Sequence, residues 1–229
     1  MWYRLVALVL LLTPFYVQAE PCTINRTKVV NQDGSLLHVK EKYCPDQDIR
    51  TAKIYYQAGK NQAKIPVLRL KRRISEAPFG DPHFVDLDKD GIYEVEQKGT
   101  CGAGPNCDGD IYKLAADRLS MFHYFSGGYA ELTPVGGFLV EEGRASCCSW
   151  EYHVYPTIAK KYPINAANRL YEISINGAPS SDGDKPECTF GGKVRGRWQV
   201  INPPNKKLLK FCENYGPDYT LVRPPKRHK

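Results

Sequence analysis

The chain has 229 residues and a formal charge of +7, with 15 Tyr and 8 Cys against 2 Met. That length fits one generous domain or two small ones, and the Tyr-rich, Met-poor composition favours half-buried strands over packed helices. The basic balance points to acidic partners, and with no interleaved aromatic-and-basic module the sequence excludes a nucleic-acid binder.

Residues 1–19 read as a signal peptide. Arg4 supplies the positive n-region, Leu5 to Tyr16 are apolar, and Val17-Gln18-Ala19 fits small-x-small cleavage before Glu20. The apolar run is shorter than the ~20 residues of a membrane span, and no later segment is apolar enough to cross a bilayer. The expected location is the periplasm or the medium. All the cysteines follow this segment: Cys22, Cys44, Cys101, Cys107, Cys147, Cys148, Cys188 and Cys212. An even count after an export signal implies disulfides. Nearness in the chain favours Cys22–Cys44, Cys101–Cys107 and Cys188–Cys212, although sequence cannot choose among the connectivities. Zinc is disfavoured, because no pair has C-x-x-C spacing and the histidines are scattered. Cys147 and Cys148 are adjacent. In a strand they point to opposite faces and are expected to bond different partners.

The elements expected from residue 20 onward are short strands. Lys28–Val30 and Leu36–Lys40 flank Asp33-Gly34, a strong hairpin-turn signal. Ile54–Tyr56, Ile65–Leu70, Ile92–Glu96, Gly136–Val140, Trp150–Tyr155 and Leu170–Ile175 follow. All are aromatic or β-branched and are broken by Gly, Pro, Asn and Asp. Tyr112–Phe125 is the best helix candidate, or equally two strands around Ala116-Asp117. The fold class expected is mainly β, a propeller-like or sandwich antiparallel sheet. Residues 20–177 form the main β domain. The turn-rich joint Ala178–Pro186 leads to a C-terminal β subdomain over 187–229, stapled by its own cysteine pair and ending in a basic tail.

Asp86-Leu87-Asp88-Lys89-Asp90-Gly91-Ile92-Tyr93-Glu94 carries the most chemistry. Ca²⁺ takes six to eight oxygens at about 2.3–2.6 Å. A tightly turning loop brings alternate residues to one side, so Asp86, Asp88 and Asp90 can converge. Gly91 permits the sharp turn, the Ile92 carbonyl adds a main-chain oxygen, and Glu94 closes the cage. Without a cation, neighbouring carboxylates repel one another. The loop is not an EF-hand, since Gln97 stands at the twelfth position and a strand follows. Asn106, Asp108 and Asp110 form a weaker cluster, and Asp108-Gly109 reads as an ordinary turn.

The D-x-D-x-D-G-x-x-E loop resembles the calcium loops of integrin-type FG-GAP repeats. With the cysteine-bearing turn Cys101–Cys107 and the later Ser146-Cys147-Cys148-Ser149-Trp150-Glu151-Tyr152 run, residues 22 to 175 resemble a family of small Gram-negative periplasmic proteins. These carry one FG-GAP-like calcium loop on a propeller-like β fold, and some are lysozyme inhibitors or immunity proteins. The resemblance implies a bound Ca²⁺ and a lytic enzyme as protein partner; the chain is expected to be a monomer or weak dimer.

Enzyme signatures are missing. There is no G-x-S-x-G, H-E-x-x-H or phosphate-cradling loop. The loop aspartates are too crowded for a glycosidase pair, whose carboxyl groups stand ~5 Å or more apart. His123 and His153 read as structural. The expectation is an exported, non-catalytic binding protein. An envelope-polymer hydrolase with a dispersed site, or a glycan-binding or structural envelope module, is the alternative.

Overall fold

A computed structural model describes residues 21–73, 82–102, 104–177 and 185–225. The signal-peptide reading, most of the 178–186 joint and the basic tail 226–229 lie outside the described residues. The described chain is mainly β, in three antiparallel sheets.

The first sheet is the meander β1 (Thr23–Val30), β2 (Leu36–Cys44), β3 (Ile49–Gln57) and β4 (Ile65–Arg73), paired in that order. Its first turn falls at Asp33-Gly34 as expected. Gly34 has a φ of +83°, and Asp33 Oδ1 accepts the Ser35 amide at 3.0 Å. The disulfide Cys22–Cys44 joins β1 to the far end of β2. The outer strand β4 carries Arg69, Lys71, Arg72 and Arg73, all exposed. Pro66 sits where this strand slips register against β3, a position that needs no ladder donor.

The second sheet is β5 (His83–Val85), β6 (Glu94–Cys101), β7 (Cys107–Leu114) and β8 (Met121–Tyr129), again in chain order. The third is β9 (Glu131–Val135), β10 (Phe138–Arg144), β11 (Ser149–Pro156), β12 (Tyr171–Asn176), β13 (Glu187–Val194), β14 (Arg197–Val200) and β15 (Thr220–Leu221). Here β9 to β14 run in chain order, and β15 pairs parallel with β13.

Two apolar clusters stack these layers. Leu37, Val39, Ile54 and Val67 of the first sheet meet Val95, Tyr112, Leu114 and Met121 of the second. On the other face of the second sheet, Ile111, Phe125 and Tyr129 meet Leu139 and Tyr155 of the third. Each such fully buried side chain contributes about 1.5–3 kcal/mol. The second sheet is therefore covered on both sides, and alternation along β7 sends Ile111 to one and Tyr112 to the other. Its outer strand β8 is also covered. The Ser126 amide donates to the Ile164 carbonyl at 2.9 Å, and the Ile164 amide to the Tyr124 carbonyl at 2.8 Å.

Three expectations need correction. Of the two readings of Tyr112–Phe125 the helix is wrong and the pair of strands around Ala116-Asp117 is right: the segment is the end of β7, a turn and the start of β8. The Ala115 amide bonds the Ser120 carbonyl at 2.9 Å across that turn, and Leu119, needed for an apolar helical face, is 60% exposed. Residues from 187 onward do not make a separate sheet, because β13 pairs with β12 over six residues and extends the third sheet. What lies across that sheet is a ten-residue 3-10 helix, Lys206–Tyr215, N-capped by the Asn205 side chain. It buries Leu208, Phe211 and Cys212 against Tyr152, Ile173 and Phe190, and Cys188–Cys212 fixes it to β13. Cys147 and Cys148 lie in the bend between β10 and β11 rather than in a strand. Their sulfurs face each other instead of opposite sides of a sheet. The other three cysteine pairs are those expected from nearness.

The 86–94 loop is docked on the β1–β2 turn. The Gln32 amide donates to the Gly91 carbonyl at 2.8 Å, and the buried Asn31 Oδ1 accepts the Tyr93 amide at 3.0 Å. Replacing Asn31 with Ala leaves that amide unsatisfied and should destabilise by roughly 1–3 kcal/mol in urea unfolding. A Cβ on Gly91 meets Gln32 Cβ at 2.6 Å, whereas one on Gly34 meets nothing within 4 Å. Both glycines have positive φ. Gly91→Ala should therefore lower the unfolding midpoint clearly more than Gly34→Ala, and equal losses contradict the docking.

Candidate functional site

The acid loop spans the connection from β5 to β6. Lys89 and Gly91 both take positive φ, 59° and 81°, which coils the path tightly. One carboxylate oxygen each from Asp86, Asp88 and Glu94 lies within 4.8 Å of the other two. Asp90 stands outside this group, and its Oδ1 accepts the Ile92 amide at 2.7 Å. Asp86 Oδ2 accepts the Gly91 amide at 3.2 Å, while Asp86 Oδ1 is buried with no hydrogen-bond partner. Glu94, 1% exposed, receives the Leu87 amide at 2.8 Å.

Lys113, from β7, brings its ammonium into the same space. It contacts Asp88 directly, lies 3.1 Å from Glu94 Oε1 and 3.7 Å from Asp90 Oδ2. Burial works to lower its pKa, but Asp88 and Glu94 hold it above the ordinary lysine value. Burial pushes the Glu94 carboxyl up to about 7, against the opposing pull of the Leu87 amide and Lys113. A single ammonium meets three of the four acidic residues and leaves Asp86 Oδ1 orphaned, so the donor set suits a divalent, oxygen-seeking cation. The sequence offered no sign of Lys113. It lies in a different strand, and a lysine inside a carboxylate cluster looks like any other lysine until the fold closes.

A second feature lies on the central sheet. Gln97, Asp110 and Ser126 sit opposite one another across β6, β7 and β8. They share one face, with Asp108 two residues before Asp110. With Arg72, Thr100 and the glycines Gly99, Gly109 and Gly127, they line a cleft of about 360 Å³. Asp108–Asp110 thus belongs to strand β7, not to the turn expected from the sequence. Asp110 is held at both oxygens, by Arg72 at 2.7 Å and by His123 Nε2 at 2.9 Å. His123 stacks on Tyr112 with ring centroids 5.0 Å apart. Gln97 is 5% exposed, and its Oε1 has no hydrogen-bond partner. The glycines are required on the opposite face. A Cβ on Gly109 meets the Tyr129 hydroxyl at 2.3 Å, and one on Gly127 meets Glu141 Oε1 at 2.4 Å. Glu141 itself accepts the Gly128 amide at 2.9 Å and pairs with His153 Nδ1 at 3.1 Å.

No family model and no curated protein matches the chain. One solved structure, a Xanthomonas protein related to a type IV secretion system, is similar at 12% identity with a TM-score of 0.48. The likeness covers 78% of this chain and 93% of that one, and is too slight to bear on function. Among the described residues no helix is long and apolar enough to cross a membrane.

The raised Glu94 pKa gives a pH signature in calcium-free protein. The folded chain binds this proton more tightly than the unfolded chain, whose carboxyl titrates near the ordinary 4.5. Its contribution is full below that pH and is lost as pH rises through about 7. Urea unfolding in EGTA between these limits should show a decline that Glu94→Gln flattens.

Proposed function

We propose that this chain is an exported, non-catalytic binding protein that carries Ca²⁺ in its 86–94 loop. In this reading it acts as an inhibitor or immunity factor against a peptidoglycan-cleaving enzyme, as a monomer or weak dimer in the periplasm or medium. Three disulfides support an oxidising compartment. The two four-stranded meanders and the larger third sheet suit a propeller-like stacking of blades.

Asp86, Asp88 and Glu94 hold the ion in this reading, with Asp90, the Ile92 carbonyl and water completing the shell. Lys113 then gives up its contact with Asp88. The role of the ion is to fix the loop, and with it the approach of β5 and β6 to the first sheet.

The observation that carries the binding role is the acceptor-rich row Gln97, Asp110 and Ser126 beside Asp108. It presents oxygens on a rigid sheet to a partner that brings donors. Asp110 is already engaged by Arg72 and His123, which makes it a poor general base and a good fixed acceptor. Lysozymes are often basic, and the net charge of this chain opposes them. A locally acidic cleft and loop overcome that repulsion at the contact.

The metal is tested by thermal unfolding. EGTA should lower the melting temperature, and Asp88→Ala should reproduce the loss without EGTA. At a hundredfold excess over Kd, the ion should add about 2.7 kcal/mol. Lys113→Met should weaken the calcium-free protein and tighten Ca²⁺ binding in calorimetry. Unchanged melting with EGTA removes the ion from the account. The partner is tested with purified peptidoglycan hydrolases. One should lose activity on addition of the protein, and Asp108→Ala should weaken that inhibition about tenfold or more. Cleavage of peptidoglycan fragments by the protein alone, with no enzyme inhibited, favours a hydrolase instead.

A further inference from the structure

We propose that Cys147 and Cys148 form a reversible vicinal disulfide, a redox-modification site on the turn between β10 and β11. The other six cysteines are already paired with one another. Cys147 is exposed and Cys148 half-buried, and their sulfurs stand 2.7 Å apart. That is beyond the roughly 2.05 Å of a closed bond, but close enough for a small torsional change to make one.

The turn is built to hold this pair. Arg144 Nε donates to the Ser146 carbonyl at 3.0 Å, and its terminal nitrogen to the Cys147 carbonyl at 2.6 Å. The Cys148 carbonyl accepts the Gly177 amide at 2.8 Å. Three successive carbonyls are thus tied by three separate donors. Asn106 pins the Arg144 main chain from both sides, donating to its carbonyl at 2.9 Å and accepting its amide at 2.7 Å. Ser146 and Ser149 hydroxyls close the base at 2.6 Å. Backbone and guanidinium are fixed, and the two thiols are left displayed to solvent.

The oxidant is a small-molecule or protein disulfide, RS–SR. A thiolate of the pair attacks one of its sulfurs and expels RS⁻, leaving a mixed disulfide. The neighbouring thiolate then attacks the cysteine sulfur of that bond and expels the second RS⁻. Two thiol protons leave the pair, two electrons pass to RS–SR, and two RSH form. Adjacent residues have Cα atoms only about 3.8 Å apart, below the usual ~4.4–6.8 Å span of a disulfide, which favours reopening by reductant. Cys188–Cys212 is the internal comparison, with a Cα separation of 5.4 Å and both residues fully buried.

The test uses the full protein exported in an oxidising host. Denaturation in alkylating agent without reductant should leave Cys147 and Cys148 unmodified, in a peptide lighter by two hydrogens than its dithiol form. Graded dithiothreitol under native conditions should then expose both to alkylation while Cys188 and Cys212 stay protected. Returning the reduced protein to oxidised glutathione should restore the lighter peptide. Alkylation of both thiols before any reduction overturns the proposal. So does a bond from either residue to a different cysteine, or reduction no earlier than Cys188–Cys212. The Cys147→Ser, Cys148→Ser double variant should melt with the parent and lose only this chemistry, and a large fall in its melting temperature assigns the pair a structural role instead.

Discussion

Over much of its length the central sheet is covered on both faces. Val95, Tyr112, Leu114 and Met121 are committed to the first sheet, and Ile111, Phe125 and Tyr129 to the third. A polar group rooted in the covered stretch must therefore find a partner inside the protein, or lie in the cleft or at an end of the strands, since an unpaired buried group is costly. Glu94 opens β6 at such an end, Lys113 lies near the end of β7, and the carboxylates of the preceding loop complete the group. The charge chemistry of this protein is concentrated where the doubly covered sheet runs out.

The same rule shapes the cleft. Gly109 and Gly127 face each other in register, and their missing side chains admit Tyr129 and Glu141 on the side toward the third sheet. On the other side Asp110 and Ser126 project from the same strands. The Tyr129 hydroxyl donates to Glu96 at 2.8 Å, and the Tyr155 hydroxyl to Glu141, so the buried acids beneath the cleft are satisfied internally. Gln97 Oε1, buried in the same sheet, is not.

Much of the framework was legible in the residues. Asp33-Gly34 gave its turn, and the alternating aspartates with Gly91 gave a coiled loop whose conformation needs that glycine. Cysteine pairs close in the chain met as expected. The failures came where local pattern was ambiguous or where distance in sequence hid the answer. Mixed apolar spacing across Tyr112–Phe125 fits a helix or a hairpin until the two faces of the sheet are known. The strand expected to hold Cys147-Cys148 begins only at Ser149, and the residues before it form a bend whose carbonyls Arg144 holds. Lys113 and the row Gln97, Asp110 and Ser126 depend on strand register alone, which no single segment encodes.

Among the described residues no strand pairs with the outer side of β1 or β4, and each carries positive charge: Arg26 and Lys28 on one, Arg69, Lys71, Arg72 and Arg73 on the other. Open strand edges are templates on which another polypeptide can grow in cross-β fashion, and lysine or arginine there repels a like edge. These two basic borders disfavour edge-to-edge pairing of two copies, so charge that looks like a signal for an acidic ligand also works against fibril formation.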